Sequence, residues 1–149
     1  MILKPFIVAL IVFLSALAAA GQAKVKPTIT PDLSHITSSP AYAEVALRKA
    51  ELESELESLL SDYTEEFPRV KELKQELGFL RRETLRLSQV KASDAGRLTT
   101  ALGKLILRKT EIEVGLWKLR EAYADEHPEV RRAKKKVEIF EKAIKEILG

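Results

Sequence analysis

Chemistry in this chain of 149 residues would have to start from its two histidines or from its many carboxylates. His35 stands near Asp32 and Ser34, which are the three residue types of a nucleophilic triad. The surrounding segment shows no helical period, so no rigid scaffold is predicted to hold a catalytic geometry there. His127 has no second histidine beside it, and packing at a corner of the chain is favoured over proton transfer or metal binding.

The carboxylates are dense but lack a predicted pocket. Glutamates alternate along one stretch, at Glu51, Glu53, Glu55 and Glu57. Acid and base roles require surroundings that separate the pKa values of two carboxyl groups, and a solvated helix face does not do so. Because the chain has no cysteine, disulfides, thiolate metal sites and thiol catalysis are excluded. We therefore predict a non-enzymatic protein with no catalytic, cofactor-binding or metal-binding residue.

A basic cluster and a single tryptophan form the candidate partner surface. In an exported protein such a cluster could contact anionic lipid, acidic polysaccharide or an acidic partner helix. Nucleic acid is not expected, because the cluster has no interleaved aromatic residues. Trp117 either packs beside a neighbouring helix or anchors a partner. The cluster comprises Arg131, Arg132, Lys134, Lys135 and Lys136.

The composition predicts helices as the elements that position these groups. Charged residues make up 32% of the chain, while glycine and proline occur six times each, which is typical of long helices or coiled coils. Residues 1–23 combine Lys4, an apolar run and small residues before Ala20 and Ala23, the pattern of a cleaved signal peptide. An uncleaved anchor is the alternative, since a span needs about 17–25 apolar residues. Either reading predicts export to a bacterial periplasm or cell surface, with an inner-membrane anchor in the second case.

A polar linker is predicted for residues 24–39, which are rich in proline, serine and threonine. At its end, Ser39 and Pro40 have the residue types of an N-cap and a first helical position. A helix should begin there.

The sequence contains an internal repeat. Laying residues 45–87 over 105–147 gives twelve identities in 43 positions without a gap, which indicates a duplicated unit. The identical residues of the first copy are Leu47, Arg48, Lys49, Glu51, Glu53, Leu56, Leu59, Tyr63, Glu66, Pro68, Val70 and Lys74.

Each copy contains two stretches with apolar residues spaced alternately by three and four, as on a coiled-coil seam. Lys49 and Lys109 interrupt the seam at matching places. The predicted seam residues of the first copy are Val45, Leu52, Leu56, Leu59 and Tyr63, then Val70, Leu73, Leu77, Leu80, Thr84 and Leu87. Those of the second are Leu105, Ile112, Leu116, Leu119 and Tyr123, then Val130, Ala133, Val137, Phe140, Ile144 and Ile147.

Pro68 and Pro128 divide the two stretches of each copy. A proline inside a helix costs about 3 kcal/mol, whereas at the first position of a new helix it is tolerated. The residue before each proline, Phe67 or His127, is pushed out of the helical region. We therefore predict a tight corner at each proline; one long helical hairpin with kinks is the alternative.

Charge also favours the corner. Residues 44–66 carry a net charge of −6 and residues 69–91 a net charge of +4, so folding one stretch onto the other brings opposite signs together. The predicted fold is all-α, with helices near 41–65, 68–91, 95–125 and 128–148. The first two form hairpin repeat 1 (40–92) and the last two hairpin repeat 2 (93–149), as duplicated antiparallel hairpins in a four-helix bundle or an elongated array.

The corner residues carry a family resemblance. Tyr123, His127, Pro128 and Val130, and less closely the corner around Tyr63 and Pro68, resemble the periplasmic coiled-coil segment of the polysaccharide chain-length determinant and exopolysaccharide transport family. The resemblance covers only residues 45–147 and implies envelope scaffolding. The chain has neither the second apolar run nor the phosphate-binding loop found in many members. The resemblance therefore implies no copolymerase or kinase activity for this chain.

The sequence supports two leading functions, and an enzyme is a third hypothesis that a deep polar pocket with two convergent ionisable side chains would favour. The first is a non-enzymatic exported scaffold that presents helical faces to envelope proteins or to other copies of itself, with a link to polysaccharide export. The alternative is a small periplasmic holdase chaperone with coiled-coil arms. A closed cage with a concave basic interior would favour the holdase, and we expect self-association in both cases.

Overall fold

A computed structural model describes residues 33–149 of the chain. Within that range all regular secondary structure is helical, with no strand. The helices are α1 (Ser34–Thr37), α2 (Pro40–Asp62), α3 (Pro68–Leu87), a 3-10 helix (Ala92–Arg97), α4 (Thr100–Ala122) and α5 (Pro128–Leu148). The predicted signal peptide or anchor, residues 1–23, and the first part of the predicted linker lie outside the described residues.

Local chemistry explains where the long helices begin. Ser39 is extended, and its side chain accepts a hydrogen bond from the backbone N–H of Tyr42, as predicted for the N-cap of α2. Thr99 caps α4 in the same way, accepting from the N–H of Leu102. Pro68 and Pro128 are the first residues of α3 and α5, so the prediction that each proline starts a helix is confirmed, and the kinked alternative is wrong.

The residues before the prolines are held out of the helical region. Phe67 has φ −59° and ψ 129°, and His127 has φ −59° and ψ 137°, as predicted from the ring that follows each of them. Helices α2 and α4 end three residues earlier than predicted, at Asp62 and Ala122. The next residue, Tyr63 or Tyr123, is already extended, because the chain needs several non-helical residues to enter the corner.

The connection between the two copies differs from the prediction. Helix α3 ends at Leu87, four residues early, and the 3-10 helix takes up part of the range predicted for the third long helix. The predicted tether also differs, since its described end contains α1 with Ile36 buried. His35 is held there too, because its Nε2 lies 2.9 Å from the carbonyl oxygen of Val90.

Helix α4 contacts three others, namely α2, α3 and α5. Its buried residues therefore extend beyond the single predicted seam, and Lys109, which interrupts that seam, is itself buried. The predicted seam is confirmed at Leu52, Leu73 and Leu80, which are fully buried. Core residues of α4 that the seam omitted are Leu102, Ile106, Thr110 and Val114.

Candidate functional site

The two corners have the same construction. The ring of Tyr63 stacks on Phe67 with centroids 4.2 Å apart, and the ring of Tyr123 stacks on His127 with centroids 4.1 Å apart. The prediction that these tyrosines pack on the seam is wrong, because both rings lie within their own corners and stay half-exposed. Each stack is local, so it stiffens the corner without needing a distant partner.

Ion pairs close both corners at equivalent positions. Lys74 lies 2.9 Å from Glu65 in the first corner, and Lys134 lies 2.9 Å from Asp125 in the second. Lys134 and Arg120 both bond to Asp125 and hold the pKa of its carboxyl below the usual range, since they favour the charged carboxylate. Lys134, a member of the predicted partner surface, is thus engaged within its own corner.

The rest of the predicted partner surface is spread along α5 and does not form one pocket. Arg131 and Lys136 are exposed, Arg132 pairs with Glu129, and Lys135 lies 3.0 Å from Glu138. Trp117 is half-buried on α4.

A buried charge cluster was missed by the sequence analysis. The side chain of Lys109 is only 5% exposed, and its ammonium lies 2.5 Å from Glu83 and 2.9 Å from Glu141. Glu113, one turn further along α4, is 3.7 Å away. Helices α3, α4 and α5 each supply a member, so the cluster joins both copies of the repeat.

Two arginines of α3 complete the cluster. Arg82 donates to Glu113 at 2.8 Å, and Arg86 donates to both oxygens of Glu141 at 3.0 and 3.1 Å. One oxygen of Glu83 and one of Glu113 have no hydrogen-bond partner among the described residues. The cluster borders a cavity of about 330 Å³ lined by Arg82, Glu83, Arg86, Lys109, Glu141 and Lys145.

Electrostatics keep Lys109 and Glu141 charged. Burial alone lowers the pKa of Lys109, but its bonds to Glu83 and Glu141 outweigh burial and raise that pKa above the ordinary value. Burial likewise works to raise the pKa of Glu141, yet Lys109 and Arg86 outweigh it and hold that pKa below the usual range. For Glu113 burial prevails, and its pKa is raised.

The chemistry of the cluster is therefore structural pairing. A nucleophilic lysine needs a lowered pKa, and the pKa of Lys109 is shifted in the opposite direction. A buried pair of this kind stabilises little overall, but it restricts which helices can meet and in which register. The sequence feature that could have indicated this cluster is Lys109, a lysine on an otherwise apolar seam.

A second feature is an open apolar groove of about 500 Å³ between α4 and α5. It arises where the two copies differ in side-chain size. Gly115 stands at the position of Glu55, and Ala133, which is partly exposed, stands at the position of the fully buried Leu73. A Cβ added at Gly115 would meet no atom within 4 Å. The groove is lined by Arg108, Glu111, Ile112, Gly115, Leu116, Lys118, Leu119, Ala133 and Lys136.

No helix within residues 33–149 combines the length and the apolar character needed to cross a bilayer. The same part of the chain holds no group of three or more histidine and carboxylate side chains arranged to bind a metal ion.

Comparison of the chain with known protein families, with curated proteins and with solved structures finds no match. The resemblance to the polysaccharide chain-length determinant family stays a prediction that rests on the corner residues.

Proposed function

We propose that residues 40–149 form two duplicated antiparallel helical hairpins, α2 with α3 and α4 with α5. Support comes from elements that recur in both copies: α2 and α4 have the same length of 23 residues, and each begins at a serine or threonine cap. The pairs Arg48–Glu76 at 2.8 Å and Glu55–Arg69 at 2.7 Å step in opposite directions along α2 and α3, as antiparallel packing requires.

The function proposed for this arrangement is that of a non-enzymatic scaffold or interaction protein. The observation that carries it is the repeated corner, in which a proline, an aromatic stack and an ion pair fix each change of direction. Such corners hold long helices in fixed relative positions and leave their outer faces for partners. Lys109 and Glu141 support the same reading, because they pair with one another and the shift of each pKa favours the charged form.

The location proposed is the cell envelope, and the process proposed is polysaccharide export. The support for export is the leader-like sequence of residues 1–23, and the support for polysaccharide is the resemblance at Tyr123, His127 and Pro128. Loss of the protein from its native host should then change the length distribution of exported polysaccharide. An unchanged distribution would remove this part of the proposal and leave the scaffold.

The location can be tested with a single cysteine, because the chain has none of its own. Ser93 is exposed in the 3-10 helix, so Ser93→Cys in the full chain gives a reactive thiol. In bacterial cells whose outer membrane has been permeabilised, a maleimide that cannot cross the inner membrane should label this thiol. A cytosolic protein with an exposed cysteine is the control. Labelling of Ser93→Cys only after the inner membrane is broken would refute export.

A second measurement separates the scaffold from the holdase. The purified chain is mixed at equal concentration with a denatured outer-membrane barrel protein, and light scattering follows aggregation. A scaffold should leave the aggregation rate unchanged. Suppression of aggregation would favour the holdase and count against the scaffold.

A further inference from the structure

The outer face of α2 is left open although its counterpart in α4 is covered. Positions 43, 47, 50 and 54 follow spacings of four, three and four, so they share one face of α2. All four side chains are exposed, and Leu47, at 62%, is the most exposed large apolar side chain within residues 33–149. The equivalent positions of the second copy are buried or partly buried, as Gly103, Leu107, Thr110 and Val114.

The covered face of α4 packs against α2 of the same chain. A Cβ placed on Gly103 would lie 2.8 Å from the Cβ of Glu44 and 3.1 Å from the Cα of Ala41, so the two helices nearly touch there. Just before α4, the carbonyl oxygen of Leu98 accepts a hydrogen bond of 3.1 Å from the N–H of Ala41. The receiving surface on α2 is thus centred on Ala41 and Glu44.

The equivalent receiving surface on α4 is vacant. Ala101, Lys104 and Arg108 correspond to Ala41, Glu44 and Arg48, and all three are exposed. This surface runs directly into the groove at Gly115 described above, which shares Arg108 with it. One helix therefore offers an open face with no cover, and another offers an open receiving surface with a groove.

We infer that a second copy of this chain docks the open face of its α2, Ala43–Leu47–Ala50–Ser54, onto the surface of α4 formed by Ala101, Lys104, Arg108 and the groove. The contact follows the one that α4 makes with α2 within one chain, with the two helices slightly further apart, because Ala43 carries a Cβ at the position of Gly103. This inference rests on the duplicated hairpins proposed above, and it names the scaffold's partner as the chain itself.

Charge complementarity selects this occupant. Residues 44–66, which contain most of α2, carry a net charge of −6. Within residues 33–149, Glu44 and Glu57 beside the open face form no ion pair with the chain's own cations. The receiving surface presents Lys104 and Lys136, which form no ion pair within residues 33–149, and Arg108, which pairs with Glu111 on its own helix at 2.6 Å. The carboxylates of the docked copy would lie against these cations.

The two surfaces in this contact are different, so the association is heterologous. Each docked copy still has one unused α2 face or one unused groove. The assembly therefore grows head to tail until it closes as a ring or continues as a filament.

Disulfide trapping between two copies tests the contact directly. Ala43 of one copy and Lys104 of another take the places of Gly103 and Glu44. A Cβ on Gly103 would lie 2.8 Å from that of Glu44, too close for two real Cβ atoms. The slightly wider spacing between copies therefore brings Ala43 and Lys104 towards the Cβ separation of about 3.5–4.5 Å that a disulfide needs. Full chains carrying Ala43→Cys and Lys104→Cys, each with its own tag, are expressed together and oxidised. A linked product bearing both tags is expected. The matched control is Ala124→Cys, an exposed alanine just beyond the far end of α4, which should give none with Lys104→Cys.

A second pair of variants tests whether the apolar face drives the contact. Leu47→Arg should abolish the linked product, whereas Leu85→Arg should leave it intact, since Leu85 is 60% exposed on another helix. The inference is overturned if the Ala43 and Lys104 variants give no linked product, or no more than the Ala124 control. It is also overturned if Leu47→Arg leaves the product unchanged. Failure here with labelling of Ser93→Cys intact would discard self-docking and keep the exported scaffold.

Discussion

Replacing Lys109 with methionine tests the buried charge cluster, because methionine keeps an unbranched apolar stem and removes the ammonium. In the folded chain that ammonium lies 2.5 Å from Glu83 and 2.9 Å from Glu141. Removing one partner of a buried pair costs about 3–5 kcal/mol, because the charge left behind is uncompensated. Arg86 remains 3.0 Å from Glu141, so the expected loss is at the lower end, about 3 kcal/mol.

The internal repeat of the sequence supplies a matched control. Lys49 occupies the same repeat position, but its side chain is 44% exposed and it makes one ion pair, with Glu53 at 2.8 Å. An exposed pair of this kind contributes about 0.2–1 kcal/mol, so Lys49→Met should change the free energy of unfolding by that amount or less.

Urea unfolding followed by circular dichroism measures both variants. With a slope of about 1–3 kcal/mol per molar urea, Lys109→Met should lower the midpoint by about 1–3 M, at an unchanged slope. Adding Glu83→Leu should restore much of the loss, since a pair replaced by apolar residues is often neutral. If the two lysine variants unfold within about 0.5 kcal/mol of each other, an error typical of additive comparisons, the buried cluster is not a structural tie.

Three further outcomes follow from the geometry. Gly115→Ala should stabilise the chain by about 0.5–1 kcal/mol, since the new methyl group meets open space. Gly103→Ala should destabilise it, because that methyl group would clash with Glu44. Thermal melts of the two variants test both expectations. Glu141 has a lowered pKa, so its contribution is present above the unfolded pKa of about 4.3 and is lost as the pH falls through the lowered value. Glu141→Gln should therefore flatten the acid side of a stability–pH profile, and an unchanged profile would contradict the ion pairing. His127→Phe should keep the ring stack of the corner, because Phe67 stacks in the same way in the first corner. It should lower the free energy of unfolding by about 0.5–1 kcal/mol, because the Glu129 N–H loses its acceptor. A larger loss in urea unfolding would contradict this.

The helix starts could be predicted from the sequence because their chemistry is local. Ser39 caps an amide three residues away, and Pro68 and Pro128 act on the residue immediately before them. Helix ends depend less on any single residue, which is why α2 ran three residues short of its predicted end.

The charge cluster could not be predicted in the same way. Lys109 meets Glu83 and Glu141, which lie on two other helices and are distant from it along the chain. Apolar spacing identifies one buried face of a helix, but α4 contacts three helices, and the second and third faces have no simple period. The apolar spacing did mark Lys49 and Lys109 as interruptions of the seam, without indicating that Lys109 is buried while Lys49 is not.

For the groove, the sequence shows the substitutions but not their effect on packing. The substitutions that create it, Gly115 for Glu55 and Ala133 for Leu73, are visible once the repeats are aligned. Their meaning depends on whether neighbouring side chains move in to fill the space, and only the packed helices decide that.

The 3-10 helix brings together both ends of the described chain. Helix α1 and helix α5 both contact it, and Arg97 donates a hydrogen bond of 2.7 Å to the carbonyl oxygen of Leu148. A short flexible peptide could therefore join residue 149 to residue 33. New termini could be opened in the exposed stretch Thr64–Glu66, and such a circular permutant should fold with every long helix uncut.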